Sequence, residues 1–284
     1  MKPIVAILVA FALTVSCKQN QSDKQTAQPA SQNINLNNHI IDSIRLVELR
    51  NEHMVLSTLY QQKAGEYRAL CYQAFNLGKV MLDKDLTDKS VDKHRIIVLD
   101  VDETVLDNSP FQAKCILEST TYPVNWDEWC KLAKAKALPG AIEFLKYAKS
   151  NGLDIYYVTN RKIHLKEFTV KNLNDLGFPD ADNEHVIMRT TVDSKEPRRQ
   201  ELMEKYHISL FFGDNLNDFS DVFEKKDSDN RAAEVDKVKA MFGKRFIVLP
   251  NAMYGDWELA LYGFDQKQDD SVKYEIRRKA LISF

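Results

Sequence analysis

The stretch IIVLDVDETVLDNSP, Ile96 to Pro110, carries an apolar, β-branched run straight into Asp100, Asp102, Glu103 and Asp107. A strand that is apolar on both faces belongs in the middle of a parallel sheet, and the carboxyl ends of such strands open where these sheets put their chemistry. Carboxylates crowded together there repel one another, so the pattern requires a compensating cation.

Outward from Arg95 the chain alternates between strand-like and helix-like stretches. Ile96 to Val101, Asp154 to Thr159, Val186 to Met188, Leu210 to Phe212 and Arg245 to Leu249 read as strands, with helical stretches such as Ala141 to Ser150 and Lys162 to Leu176 between them. This alternation predicts an α/β fold, a doubly wound parallel sheet with helices on both faces. One connection is too long. Residues 107–138, with Phe111, Tyr122, Trp126 and Trp129, separate the first strand from the helix announced by Pro139 and Gly140. Ordinary connections run about 4–6 residues, so an insertion of this size at a strand's carboxyl end is predicted to cap the site.

Three strand ends share one edge of that sheet. The first offers Asp100 and Asp102; the second, in IYYVTNR, offers Thr159, Asn160 and Arg161; a later one, in LFFGDNLNDF, offers Asp214, Asn215 and Asp218. Oxygen ligands with no His or Cys among them favour Mg2+ over zinc or copper. Magnesium held by few carboxylates keeps positions for water and a substrate phosphate.

The N-terminal stretch MKPIVAILVAFALTVSCKQN sets Lys2, an apolar run from Ile4 to Val15 and Ser16 before Cys17, a secretory leader too short to span a bilayer as a stable helix. It resembles a bacterial lipoprotein signal, although Thr14 stands where that pattern has leucine. The resemblance implies a leader over residues 1–17 ending at a lipidated Cys17; a plain signal peptide cleaved near Cys17 is the alternative. Residues 18–38 are rich in Gln, Asn and Ser and too poor in apolar side chains to fold, so they read as a flexible tether. From Ile40 to Leu82, Ile44, Val47, Leu56, Leu59, Tyr60, Tyr67 and Leu70 follow a helical period, predicting one or two amphipathic helices packed on the core. They open a domain spanning 39–265, followed by a C-terminal segment, 266–284.

With 284 residues, 44% of them hydrophobic, the chain can bury a full core. A net charge of -2 and a pI near 6.3 leave no basic footprint, so no nucleic-acid polymer is expected as partner. Beyond Cys17 the cysteines are Cys71, Cys115 and Cys130, an odd number that gives no disulfide framework. An oxidising compartment permits one bridge, with Cys115 to Cys130 the candidate pair.

Four motifs in order, LDVDETVLDNSP, VTNR, SKEPRR and GDNLNDF, resemble the haloacid dehalogenase (HAD) superfamily. Within it they are similar to the class C bacterial acid phosphatases, the outer-membrane lipoprotein 5'-nucleotidases, from Leu36 to Trp257. The resemblance implies a HAD-like Rossmannoid core with a helical N-terminal extension and a cap insertion after the first strand. It implies Asp100 as the nucleophile that forms an aspartyl-phosphate and Asp102 as general acid, then base. Alternation along a strand sets residues i and i+2 on one side, which suits that pair. Thr159 is then the residue that bonds a transferring phosphoryl oxygen, and Lys195 the one that neutralises its charge. Asp100, the Asp102 carbonyl and Asp214 are the implied metal ligands, with Asp218 on metal-bound water or on Lys195. Glu103, Asp107 and Arg161 are left in supporting roles. Taken singly, TNR is a strand-to-helix cap, Lys195 a solvated helix residue and Asp218 a helix N-terminal acid; it is their joint occurrence that makes a site. Asp102 separates this chain from the dehalogenases, whose halide leaving group needs no proton. None of Lys114, Lys131, Lys134 or Lys136 stands out as a Schiff-base lysine of the phosphonatase kind.

TTYPVNWDEW and LPNAMYGDWE resemble the segments from which family members stack a nucleobase, which makes Tyr122, Trp126 and Tyr254 substrate-binding candidates beside Asn160. The alternative is that Trp126, Trp129 and Trp257 are core and Tyr254 a turn residue. The resulting expectation is a Mg2+-dependent acid phosphomonoesterase acting on nucleoside 5'-monophosphates and other small phosphomonoesters. It is lipid-anchored to the bacterial cell envelope at the outer membrane, with a homo-oligomer open. The rivals are a phosphotransferase to nucleoside or sugar acceptors and a non-catalytic, ligand-binding surface lipoprotein.

Overall fold

The computed structural model describes residues 51–284; the leader, the tether and the positions Ile44 and Val47 of the expected first helix lie outside them. In chain order the elements are α1 (Val55–Lys63), α2 (Gly65–Leu86), β1 (Arg95–Leu99), β2 (Leu106–Asp107), α3 (Ser109–Leu117), α4 (Trp126–Leu132), β3 (Lys136–Ala137) and α5 (Ala141–Ser150). They continue with β4 (Asp154–Lys162), α6 (Lys166–Leu176), β5 (Val186–Arg189), α7 (Glu196–Lys205), β6 (His207–Gly213), α8 (Ser228–Lys237), β7 (Phe246–Val248), α9 (Asp256–Leu261) and α10 (Asp270–Lys279).

The five strands expected from the sequence form one parallel sheet in the order β5-β4-β1-β6-β7. From β1 the chain winds outward through β4 and β5, then returns to lay β6 against the other side of β1. Strand order therefore reverses beside β1, the point where open α/β sheets leave a crevice at their carboxyl edge. Leu99 pairs with Tyr157 on one side and Phe212 on the other, so Asp100, Thr159 and Asp214 follow three neighbouring strands into that crevice.

The alternation within β1 sorts its side chains between two cores. Ile97 and Leu99 join one cluster with Phe75 and Leu82 of α2 and Phe144 and Leu145 of α5. Ile96 and Val98 join the other, with Leu202 of α7, Phe219 and Phe223. Burial on both faces is why this strand reads as a continuous apolar run. Gly78 of α2 lets that helix close on β6, since a Cβ there would lie 2.5 Å from Phe212 Cζ.

The insertion is a helical unit, α3 and α4, closed at its base by a short antiparallel ladder that pairs Leu106 with Ala137 and Asp107 with Lys136. Two paired residues per strand leave no alternating pattern to read in the sequence. The N-terminal helices form as expected, but the phase differs. Leu56, Leu59, Tyr60 and Leu70 are exposed, and Thr58 and Gln61 of α1 are buried in their place, whereas Tyr67 of α2 is buried as expected. Polar partners set the rotation of α1: Gln61 Nε2 donates to Asp107 Oδ1 at 2.7 Å and to Glu103 Oε1 at 3.3 Å. The candidate Cys115–Cys130 bridge is corrected: Cys71, Cys115 and Cys130 are separate, buried thiols. Cys115 is on α3 and Cys130 on α4, each packed into its own helix's buried face.

Candidate active site

Asp100 leaves β1 with its backbone N–H donating to Phe212 O at 3.0 Å, which ties it to the neighbouring strand. Its carboxyl is almost wholly buried and accepts from Lys195 Nζ. The same ammonium donates to Asp218 Oδ1 at 2.7 Å. Lys195, expected as a solvated residue if read alone, is 6% exposed and lies between two carboxylates at the start of α7.

Asp218 owes its position to local backbone chemistry. Asn215 and Asp218 form a reciprocal capping box on a single 3-10 turn, the Asp218 carboxyl accepting the Asn215 N–H at 3.0 Å. The lone reading of Asp218 as a helix-start acid is thus correct and incomplete, since its other oxygen faces Lys195. Gly213 makes the arrangement possible: a Cβ at 213 would meet Asp218 Cβ at 2.4 Å. Asp214 is held by two donors that the sequence did not single out, Thr104 Oγ1 at 3.1 Å and Asn251 Nδ2 at 2.8 Å. Asn251 sits in the quoted LPNAMYGDWE stretch and Thr104 in the first motif, but only the folded chain shows which polar side chain faces Asp214.

Asp100, Asp214 and Asp218 each offer an oxygen, and these atoms lie within 4.8 Å of one another. Burial raises the Asp100 carboxyl to about 7 against the pull of Lys195, with Asp218 and Asp102 adding to the rise. Burial, then Asp218 and Asp100, hold Asp214 well above the ordinary carboxylate range. Burial works against the Lys195 ammonium, but Asp100 and Asp218 outweigh it and raise its affinity for the proton. One ammonium cannot neutralise three crowded carboxylates, two of them buried. A hard divalent cation fits this donor set, which consists of carboxylate oxygens with no soft ligand. A second acidic group, Asp154, Asp180 and His185, is already bridged by Lys149 at 2.7 Å and 2.8 Å.

Asp102 faces a different set of partners. Arg161, buried at the end of β4, grips its Oδ1 with Nε at 3.0 Å and Nη2 at 2.8 Å. Thr159 Oγ1 donates to Asp102 Oδ2 at 3.3 Å and accepts the Arg161 N–H at 3.0 Å. Asn160 is exposed and accepts from Arg198 Nη2 at 2.6 Å, while Arg198 Nη1 binds Thr159 O at 2.7 Å.

The insertion lies over this group. The Arg161 guanidinium sits 5.5 Å from the Trp126 ring centre, and Trp126 meets Phe111 and Tyr122 edge-on at 4.9 Å and 5.9 Å. Tyr122 is 55% exposed, Trp126 half-buried. Tyr254 donates its hydroxyl to Glu103, a fully buried carboxyl that burial, helped by Asp102, raises to about 8. Of the three tryptophans in the alternative core reading, Trp129 is packed against the core, Trp126 joins both worlds, and Trp257 is exposed.

Comparison with known proteins places this geometry in context. The family model described as HAD superfamily, subfamily IIIB (Acid phosphatase) matches residues 14–257. A class C acid phosphatase from Bacillus anthracis is 46% identical, covering 84% of this chain and 99% of its own, with a TM-score of 0.80. A tungstate-bound structure of that Bacillus anthracis enzyme superposes with a TM-score of 0.81. Among curated proteins, a class B acid phosphatase from Edwardsiella ictaluri is 30% identical over 137 residues, 43% of this chain and 55% of its own. Acid phosphatase 1 from Solanum lycopersicum is 27% identical over 149 residues, 50% of this chain and 57% of its own. The chain spans little more than half the length of these two curated relatives.

Proposed function

Because the chain belongs to the acid phosphatases of HAD superfamily subfamily IIIB, we propose that it hydrolyses small phosphomonoesters, nucleoside 5'-monophosphates foremost, with Mg2+ as its metal. The observation that carries this reading is the meeting of Asp100, Asp214 and Asp218 at the carboxyl edge of the sheet, with Lys195 paired to Asp100 and Asp218. The tungstate held by the Bacillus anthracis relative is a tetrahedral oxyanion like phosphate, which supports an oxyanion subsite here.

Asp100 attacks phosphorus, forming an aspartyl-phosphate as the ester P–O bond breaks. Asp102 gives its proton to the departing alkoxide. Asp102 then takes a proton from water, whose oxygen attacks phosphorus and returns Asp100 as a carboxylate. Lys195 and Thr159 neutralise and bond the transferring phosphoryl oxygens. Asp100, Asp214, Asp218 and the Asp102 carbonyl would hold the magnesium, which would supply positive charge against the crowded carboxylates and the phosphoryl group. Tyr122, Trp126, Tyr254 and Asn160 receive the rest of the substrate.

A phosphate-release screen over a panel of phosphomonoesters, with and without magnesium, tests the assignment. Nucleoside monophosphates are expected to lead the panel, and activity to vanish on chelation. Asp100→Asn keeps the shape and removes the attacking charge, so turnover should fall by several orders of magnitude in a folded protein. Substantial residual turnover would rule out the covalent route. The leader supports a lipid-anchored enzyme of the bacterial envelope, so Cys17→Ala is expected to move active enzyme into the soluble fraction. Unchanged membrane partitioning would exclude Cys17 as the anchor.

A further inference from the structure

Behind the metal-binding carboxylates runs a chain of buried hydrogen bonds that phosphoryl transfer as described does not use. Asn108, fully buried between β2 and α3, is its centre. Its Nδ2 donates to Asp102 Oδ1 at 2.8 Å and to Glu103 Oε2 at 3.1 Å. Its Oδ1 accepts from Trp129 Nε1 at 2.8 Å and Arg161 Nη2 at 3.3 Å. A carboxamide has two donors and two acceptor positions, so Asn108 spends all four and any rotation breaks several bonds. Glu103, held at φ 61°, also takes the Asn108 N–H at 2.8 Å and the Tyr254 hydroxyl. Tyr254, on the loop after β7, thereby reaches Asp102 in three steps, through Glu103 and then Asn108.

We propose that Asn108 is a positioning residue that fixes the Asp102 carboxyl for proton transfer, and that Tyr254 acts on Asp102 through Glu103 and Asn108. This rests on the reading of Asp102 as acid and base. A general acid must stay within hydrogen-bond reach of the leaving oxygen, and its contribution is about 10²–10⁴-fold when it does. Arg161 and Thr159 hold Asp102 from β4; Asn108 adds a hold from a different segment, between β2 and α3, that stops the carboxyl from swinging. Asn108 has no exposed surface, so it does this without touching substrate.

The test compares kcat/KM on an alkyl phosphate, whose alkoxide needs a proton, with that on p-nitrophenyl phosphate, whose phenolate leaves without one. Asn108→Ala is expected to lose about 10-fold more on the alkyl ester than on the aryl ester, a share of the general-acid contribution. Tyr254→Phe should shift the ratio in the same direction. It keeps the ring and removes only the hydroxyl, which guards the test against an Asn108→Ala protein that fails to fold. Asp102→Asn is the reference. If it discriminates steeply and Asn108→Ala and Tyr254→Phe lose equally on both esters, the positioning role is overturned and the enzymatic reading stands. If only Tyr254→Phe loses equally, Tyr254 is cut from the chain. If Asp102→Asn itself shows no discrimination, the acid assignment fails and the inference with it.

Discussion

Lys195 replaces, with one ammonium, part of the charge that three converging carboxylates demand, and its burial explains why its position cannot drift. Breaking one partner of a buried, paired charge costs about 3–5 kcal/mol, so these residues support one another strongly. The least conspicuous member of the site is Gly213. It ends β6 where Asp218 folds back against the strand, and a methyl group there would displace Asp218 rather than a flexible tip. Gly213→Ala is therefore expected to weaken divalent-cation affinity and lower turnover by at least about 10-fold, as loss of a supporting contact at a metal site does. Isothermal titration with magnesium and steady-state kinetics measure both. Wild-type affinity in that variant would show that Asp218 does not depend on the close approach. At this scale the strand-end acids were legible in the sequence because strand ends place them, whereas Lys195 came only with the motif resemblance, since alone it reads as solvated. Thr104, Asn108 and Asn251 were not, since an uncharged polar side chain carries no mark of the carboxylate it will face.

The insertion matters as an element because its aromatic rings do two kinds of work. Tyr122 is exposed and meets Trp126 edge-on, whereas Trp126 also packs on Phe111 and over Arg161. Tyr122→Ala is expected to reduce kcat/KM on nucleoside monophosphates by about 1–3 kcal/mol, the worth of one base stack, with a smaller loss on an aryl phosphate and little change in Tm. Trp126→Ala should instead lower activity on both substrates and lower Tm, because it strips a face from the guanidinium that holds Asp102. Kinetics on both substrates with thermal melts separates the two; equal losses for Tyr122→Ala would retract the nucleotide preference to general phosphomonoesters. The sheet strands were readable because both-face burial writes a continuous apolar run. The phase of α1 was not, because Gln61 and its two carboxylate partners, rather than leucines, decide which side turns inward. The β2–β3 ladder was invisible for the simpler reason that two residues make no period.

Across the whole molecule, several carboxyls are folded into low-dielectric surroundings, and stability should record it. Burial raises Asp100 from 3.8 to about 7 and Glu103 from 4.5 to about 8, and it raises Asp214 as well. A raised carboxyl pKa means that the folded chain holds more protons than the unfolded chain between the two values. Stability then falls as pH rises, from about 4 to about 8 for Asp100 and Glu103, with Asp214 contributing in the same direction. The metal-free protein is expected to have a lower Tm at pH 8 than at pH 5, each kcal/mol lost lowering Tm by about 2–4 °C in a chain of this size. Magnesium should restore much of the loss at pH 8 and little at pH 5, because the cation and the protons compete for Asp100 and Asp214. Glu103 lies outside the Asp100, Asp214 and Asp218 cluster, so its share of the loss should persist when magnesium is added. Thermal unfolding across this range, with chelator and with magnesium, checks each part. A metal-free Tm that holds level or rises from pH 5 to pH 8 would mean that Lys195 and Arg161 already balance the buried acids, and that the cation is needed for chemistry alone.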